Sequence, residues 1–288
     1  MEEYFVEHAG STQTVIFTIF VSGLWLMEKL ILAQPWRVKF HRAFHNSLFV
    51  LSALPIELCC GLLCLVLAGW VTAHHWGFLY LLPYADNPWV KYGVMFVVLD
   101  FLDYVYHQAM HQTPGFWRFH LVHHTDLVVD ASTSVREHPG ETLLRNAFVF
   151  AWILLSGASF ELLVLRQTAQ TICTIFAHSA FRLPALPARV LGWVFITPNL
   201  HHVHHHFELP YTNCNYGDVF SIWDRLFGTF VTLPTEDTVF GLDTHLNDES
   251  TGTFLGMIAM PFSGRASAGD GFIGLFRAKT KRPDPAKI

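Results

Sequence analysis

The run at residues 46–72 limits the fold more than any other part of this chain. Backbone amides in hydrocarbon find no water, so an apolar run longer than the about 20 residues that cross a ~30 Å core has to be helical. Runs at 12–33 and 89–106 have the same character. Two shorter ones, 143–155 and 160–176, are separated by Ser156-Gly157-Ala158-Ser159 and read as a hairpin that enters the bilayer and returns. With 52% hydrophobic and only 14% charged residues, the composition excludes an ordinary soluble domain. A net charge of −5 gives no attraction for nucleic acid, so no nucleic-acid partner is expected. The expected fold is an all-α, multi-pass membrane bundle of about three full spans plus a membrane hairpin.

Basic residues orient this bundle. Arg37, Lys39 and Arg42 follow the first run, and the positive-inside tendency places them in the cytoplasm. Glu2, Glu3 and Glu7 then lie outside, with the loop 74–88. Glu28 and Lys29, at the end of the first run, are expected to reach the interface. Residues 1–11 lack the basic start of a signal peptide, so the first run is expected to stay as an anchor. The five cysteines suggest neither a disulfide framework nor a Cys-x-x-Cys metal motif. Three regions are expected: N-terminal membrane helices at 1–88, a catalytic region at 89–242, and a polar tail at 243–288 that ends in a basic stretch at 277–287 and is partly disordered.

The third run leads straight into histidine. His107-x-x-x-His111 is followed by His120-x-x-His123-His124, and the second pattern recurs as His201-x-x-His204-His205, each time after a Thr-Pro step, Thr113-Pro114 and Thr197-Pro198. Twelve of the 18 histidines fall between 107 and 206, so they are gathered and not scattered. Helical positions i, i+3 and i+4 fan over about 100°, and each cluster presents its imidazoles to one side. Eight such ligands are too many for one metal ion and suit two; His138 and His178 would raise the total to ten. Clustered imidazoles without thiolates suit iron, copper or zinc. With the expected orientation, all clusters meet on the cytoplasmic side.

The run Asp100-x-x-x-Tyr104-x-x-His107-x-x-x-His111, then Trp117-Arg118-x-His120-x-x-His123-His124, resembles the fatty acid hydroxylase and sterol desaturase superfamily. Further matches follow in order: Arg136-x-His138-Pro139-x-Glu141, Phe176-x-His178-Ser179, Thr197-Pro198-x-x-His201-x-x-His204-His205, Asn215-Tyr216-Gly217, and the stretch from Trp223-Asp224 to Gly228-Thr229. The resemblance covers about 90–242 and departs from the family pattern at Gln108, often Arg, and Ala180, often Asn. It implies a membrane-embedded, O2-dependent enzyme with two iron ions held by histidines, zinc being a substitute in purified protein. It also favours His138 and His178 as ligands, and the register His201, His204, His205 over His202, His205, His206. The implied substrate is a lipid from the bilayer, such as a sterol or fatty acyl lipid, that is hydroxylated or desaturated. No dinucleotide fingerprint is present, so electrons are expected from a separate protein, cytochrome b5-like or a ferredoxin with its reductase.

Asp103 and Asp100 are candidates to accept a ligand's free N–H, or are acids of the helix surface; Glu141 is placed at the start of the helix after Pro139. A loop carrying Trp223-Asp224 is expected to pack against the site. A membrane metal transporter shares the histidines, but its ligands are expected near the bilayer midplane. A zinc peptidase is excluded because no His-Glu-x-x-His occurs.

Overall fold

A computed structural model describes residues 9–32, 34–245 and 249–263, with side chains from residue 14 onward. The expectations for Glu2, Glu3, Glu7 and the basic stretch 277–287 lie outside these residues. Among the described residues the chain is all-helical, with no β-strand and only the isolated bridges Phe195 to Phe220 and His206 to Phe240.

Long helices build the body. They are α1 (Ala9–Met27), α2 (Trp36–Ala73), α3 (Met95–Gln112, entered through a π-helical stretch Trp89–Val94), α5 (Pro139–Ser156) and α6 (Phe160–His178). Short ones carry the rest: α4 (Pro114–His124), α7 (Ala185–Leu191), α8 (Pro198–His204), α9 (Ile222–Phe227) and α10 (Phe254–Ala259). Helices α4, α5 and α8 start alike, with an extended residue (Thr113, His138, Thr197) followed by proline at the first helical position. Proline disfavours helix in the residue before it and has no N–H to lose there. Each break re-aims the chain near the site.

Among the described residues, one helix, beginning at Trp36, is long and apolar enough to cross a membrane; its mean hydropathy is 2.4 and none of its most apolar stretch is buried. Leu51, Leu58, Leu62 and Val66 are each more than 60% exposed along it, an apolar face far larger than a soluble surface tolerates. The runs at 12–33, 89–106, 143–155 and 160–176 do not meet that measure.

The hairpin is longer than its apolar runs. Helix α5 has 18 residues, about 27 Å at 1.5 Å per residue, because polar turns extend it back to Pro139, and α6 continues to His178. Its tip meets the loop that follows α2: Trp76 Nε1 donates to Leu154 O at 2.9 Å. Gly157 ends α5 at φ +76°, and a Cβ on Gly77 would lie 2.3 Å from Gly157 N. Only glycine permits this backbone contact. The hairpin therefore reaches the far end of α2.

The near end is closed by charge. Arg37, Lys39 and Arg42 lie in the first turns of α2 and not in a loop. Lys39 is fully buried, with Nζ 3.0 Å from Glu28 Oε2 and 3.6 Å from Asp130 Oδ2; Arg42 lies 3.0 Å from Asp126 Oδ1 and 3.1 Å from Asp130 Oδ2. Glu28 does not reach an interface. It is buried, and its Oε1 accepts the N–H of Ala131 at 2.9 Å and of Ala180 at 2.7 Å. A buried carboxylate needs several partners, and this one finds them by tying α1, α2 and the end of α6 together.

Met257 and Met260 are buried against Phe49, Trp117 and Leu121, so 249–263 belongs to the body.

Candidate metal centre

Nine of the ten expected ligand histidines converge, and all nine are 9% or less exposed. His107, His111, His120 and His204 form one group, and His123, His178, His201 and His205 another; His124 joins His204 and His205 in a third that bridges the two. Within each group one ring nitrogen per residue lies within 4.8 Å of the others. Helix α3 supplies two rings, α4 three and α8 with its C-terminal cap three, as i, i+3 and i+4 spacing requires.

In the first group the outer nitrogens are held. His107 Nδ1 is 2.9 Å from Tyr216 O, His111 Nδ1 3.3 Å from Asn213 Oδ1, His120 Nδ1 2.7 Å from Glu141 Oε1, and His204 Nδ1 2.7 Å from Cys214 O. Each acceptor draws the proton to Nδ1, which leaves the lone pair on Nε2. The Nε2 atoms of His111, His120 and His204 are buried without a partner.

Around His178 the second group is tighter. Its Nδ1 donates to Thr174 O at 2.7 Å, so Nε2 carries a lone pair. His123, whose Nδ1 lies 3.3 Å from Arg136 O, brings its Nε2 to 2.9 Å; those of His201 and His205 stand at 3.0 and 3.1 Å. His201 and His205 either donate from Nε2 to His178 in the metal-free protein or carry the proton at Nδ1 and turn Nε2 lone pairs inward, the form that binds a metal ion. His201 Nδ1, His205 Nδ1 and both nitrogens of His124 are likewise buried and unpartnered. These orphaned atoms and an all-nitrogen donor set fit two divalent transition-metal ions.

Burial first, then neighbouring imidazoles, hold His111, His123, His124, His201, His204 and His205 well below the ordinary histidine value. Burial lowers His107 and His178 to about 4. The rings are therefore neutral at pH 7, the form that binds metal. Burial would raise Glu141, but His120 beside it holds its carboxyl below the usual range, so it stays an anionic acceptor.

His138 is not in the nest. Its Nδ1 accepts Gly140 N–H at 2.9 Å as the cap of α5, and its Nε2 meets Ile258 O at 3.1 Å. Both nitrogens are occupied because the proline that follows turns the ring toward the helix start. The structure thus places His138 apart from the other nine expected ligands. His202 and His206 also face away: His202 Nε2 meets Ser179 O at 3.0 Å, and His206 Nδ1 accepts Val239 N–H at 3.1 Å.

The acids are distributed differently from the reading by helical spacing. Asp100 accepts from Val219 N, Phe220 N and Trp223 Nε1, and Asp103 pairs with Arg166. Neither touches a ligand ring. Glu141 does, and it also accepts from Tyr106 OH at 3.3 Å. Asp224 takes the N–H groups of Tyr216 and Gly217, fixing the loop whose carbonyl meets His107. Asn213 and the carbonyls of Cys214 and Tyr216 carry no sequence signal of their own; the Asn215-Tyr216-Gly217 match marked their loop.

Comparison with known proteins adds an independent finding, since residues 92–229 match the fatty acid hydroxylase family. The match places this stretch, which holds all nine converging histidines, in the fatty acid hydroxylase superfamily. It is 28% identical over 216 residues to an alkylglycerol monooxygenase of Caenorhabditis elegans, covering 70% of this chain and 41% of that protein. It is 29% identical over 167 residues to the ornithine lipid hydroxylase OlsE of Rhizobium tropici, with 58% and 49% covered, and 31% identical over 135 residues to methylsterol monooxygenase 1 of Rattus norvegicus, with 47% and 44% covered. The chain thus spans less than half the length of each. No solved structure matches it.

Proposed function

We propose that this superfamily member is a membrane-bound, dinuclear iron oxidoreductase that uses O2 to hydroxylate a C–H bond of a lipid. The observation that carries this reading is the nest of nine buried imidazoles whose ring nitrogens converge in groups within 4.8 Å, with nitrogens of His111, His120, His124, His201, His204 and His205 left without a hydrogen-bond partner. His107, His111, His120 and His204 would hold one ion and His123, His178, His201 and His205 the other, with His124 between them. Two iron ions bound there would supply oxygen activation for attack on an unactivated C–H bond.

The chain's own groups do the rest. Glu141 and the carbonyls of Tyr216, Cys214 and Thr174 hold protons at the outer ring nitrogens, which fixes each tautomer and orients each ring. Burial excludes water. Hydroxylation consumes O2, two electrons and two protons and releases water, and a separate donor protein supplies the electrons. The printed names of the relatives, monooxygenases and a hydroxylase, favour hydroxylation over desaturation.

The unburied apolar face of α2 supports embedding in a membrane; the proposed arrangement is multi-pass, with the nest on the cytoplasmic side where Arg37 begins α2. Lipid then enters from the bilayer. Substituting His123 or His204 with Ala should abolish oxygen uptake coupled to lipid hydroxylation in reconstituted membranes; full turnover in both variants contradicts the assignment.

A further inference from the structure

A cavity of about 340 Å³ lies against the nest, with His107, His120, His123, His178 and His201 in its wall. Its volume sits near the low end of ligand sites, roughly 300–1,000 Å³, so it encloses one end of a lipid and not the whole molecule. The walls differ in character. Phe49, Val50, Ala53 and Leu54 of α2 make one side apolar as far as Glu57, whereas Thr142 and Arg145 of α5 and Gln170, Thr171 and Thr174 of α6 make the other mostly polar, with Ile175 and Ala177 the apolar members of α6 there.

A wall for a bare alkyl chain has no use for amides and hydroxyls, which cost free energy to bury without partners. One group is without a partner. Glu141 lines the cavity, is 4% exposed, and spends Oε1 on His120 and Tyr106, while its Oε2 is buried with no hydrogen bond. A carboxylate oxygen only accepts, so its missing partner is a donor. It stands beside His120, a member of the first ligand group.

Resting on the hydroxylase reading above, we propose that the substrate enters polar end first, and that a hydroxyl or ammonium group within a few bonds of the oxidised carbon donates to Glu141 Oε2. The apolar chain then trails along α2 past Leu54 toward the bilayer. A mid-chain methylene far from the headgroup is not the site of reaction.

The test is photoaffinity mapping on the full chain in lipid nanodiscs, read by mass spectrometry and without turnover. The probes are 1-O-hexadecylglycerol with a diazirine beside its hydroxyls, the same lipid with the diazirine at its chain end, and hexadecylamine with the diazirine beside the amine. A head-labelled probe should mark α5 and α6 between Thr142 and Thr174, and the chain-end probe should mark α1 or α2. Labelling by the glycerol head identifies a hydroxyl donor, and labelling by the amine head identifies an ammonium. The dimethyl ether of hexadecylglycerol, which has no donor, should compete at least tenfold less well than the parent. Gln170→Leu with Thr171→Val should cut head labelling severalfold while the metal content is kept. Chain-end labelling of the polar wall, no labelling there by either head, or equal competition by the capped ether overturns the proposal. Correct labelling in a protein that takes up no oxygen overturns the hydroxylase reading instead.

Discussion

Two buried polar clusters lie side by side in this molecule, and they are built on opposite rules. In the cluster of Glu28, Lys39, Asp130, Arg42 and Asp126, carboxylates face cations and backbone N–H groups at 2.7 to 3.6 Å. In the histidine nest the inward nitrogens face one another or nothing. Burial alone does not separate a structural cluster from a functional one. Satisfaction does: the ion-pair cluster is complete within the chain, whereas the nest leaves ring nitrogens unpartnered, and in the proposed reading cations complete it.

The sharpest way to break this contrast is to remove one member from each cluster. His178→Ala should empty the second metal group and abolish activity while leaving the fold in place, checked by metal analysis and circular dichroism; retained metal in full would show that His178 is not a ligand. Lys39→Met should behave in the opposite way, keeping the ligand set but lowering stability by about 3–5 kcal/mol, because it strands buried carboxylates. Thermal inactivation in detergent would reveal that loss, and an unchanged midpoint would deny the cluster its structural role.

Glu141 belongs to both worlds, and its substitution sharpens the comparison. Glu141→Gln keeps the shape but removes the anion beside His120, which should weaken metal retention about 10–100-fold. Titration with a competing chelator measures it, and no change would mean that Glu141 takes no part in holding the metal.

A smaller effect is expected from pH on the metal-free protein. His107, His111, His123, His124, His178, His201, His204 and His205 have folded values below the unfolded histidine value, about 4 for His107 and His178. The unfolded chain therefore binds more protons between about 6.5 and 4, and stability should fall as pH drops through that window. Flat stability from pH 7 to 4 would mean the rings are not buried neutral. The smallest effect is at the alternative register: His202→Asn should leave metal content unchanged, since that ring faces Ser179 O.

Much of this was legible before any coordinates, for a physical reason. Ligand rings placed at i, i+3 and i+4 report their geometry through helical period, so His107, His111, His120, His123 and His124 declared themselves. The Thr-Pro steps likewise marked the helix starts of α4 and α8. What was not legible depended on contacts distant in sequence. Lys39 and Glu28 read as interfacial charges because nothing local says that they pair across 11 residues, or that Ala131 and Ala180 return to Glu28. Asp103 shares a helix with His107, yet its partner is Arg166, while the carboxylate that meets His120 comes from α5. His138 matched a motif whose conformation, and not its ligand chemistry, is what the structure uses.

The most direct test of the central claim is metal content per chain in protein purified from iron-replete cells and reconstituted with ferrous iron, followed by Mössbauer spectroscopy. Two irons per chain, magnetically coupled, are the expected result. A single ion, or none, would contradict the claim that the unpartnered nitrogens of the nest mark a dinuclear centre.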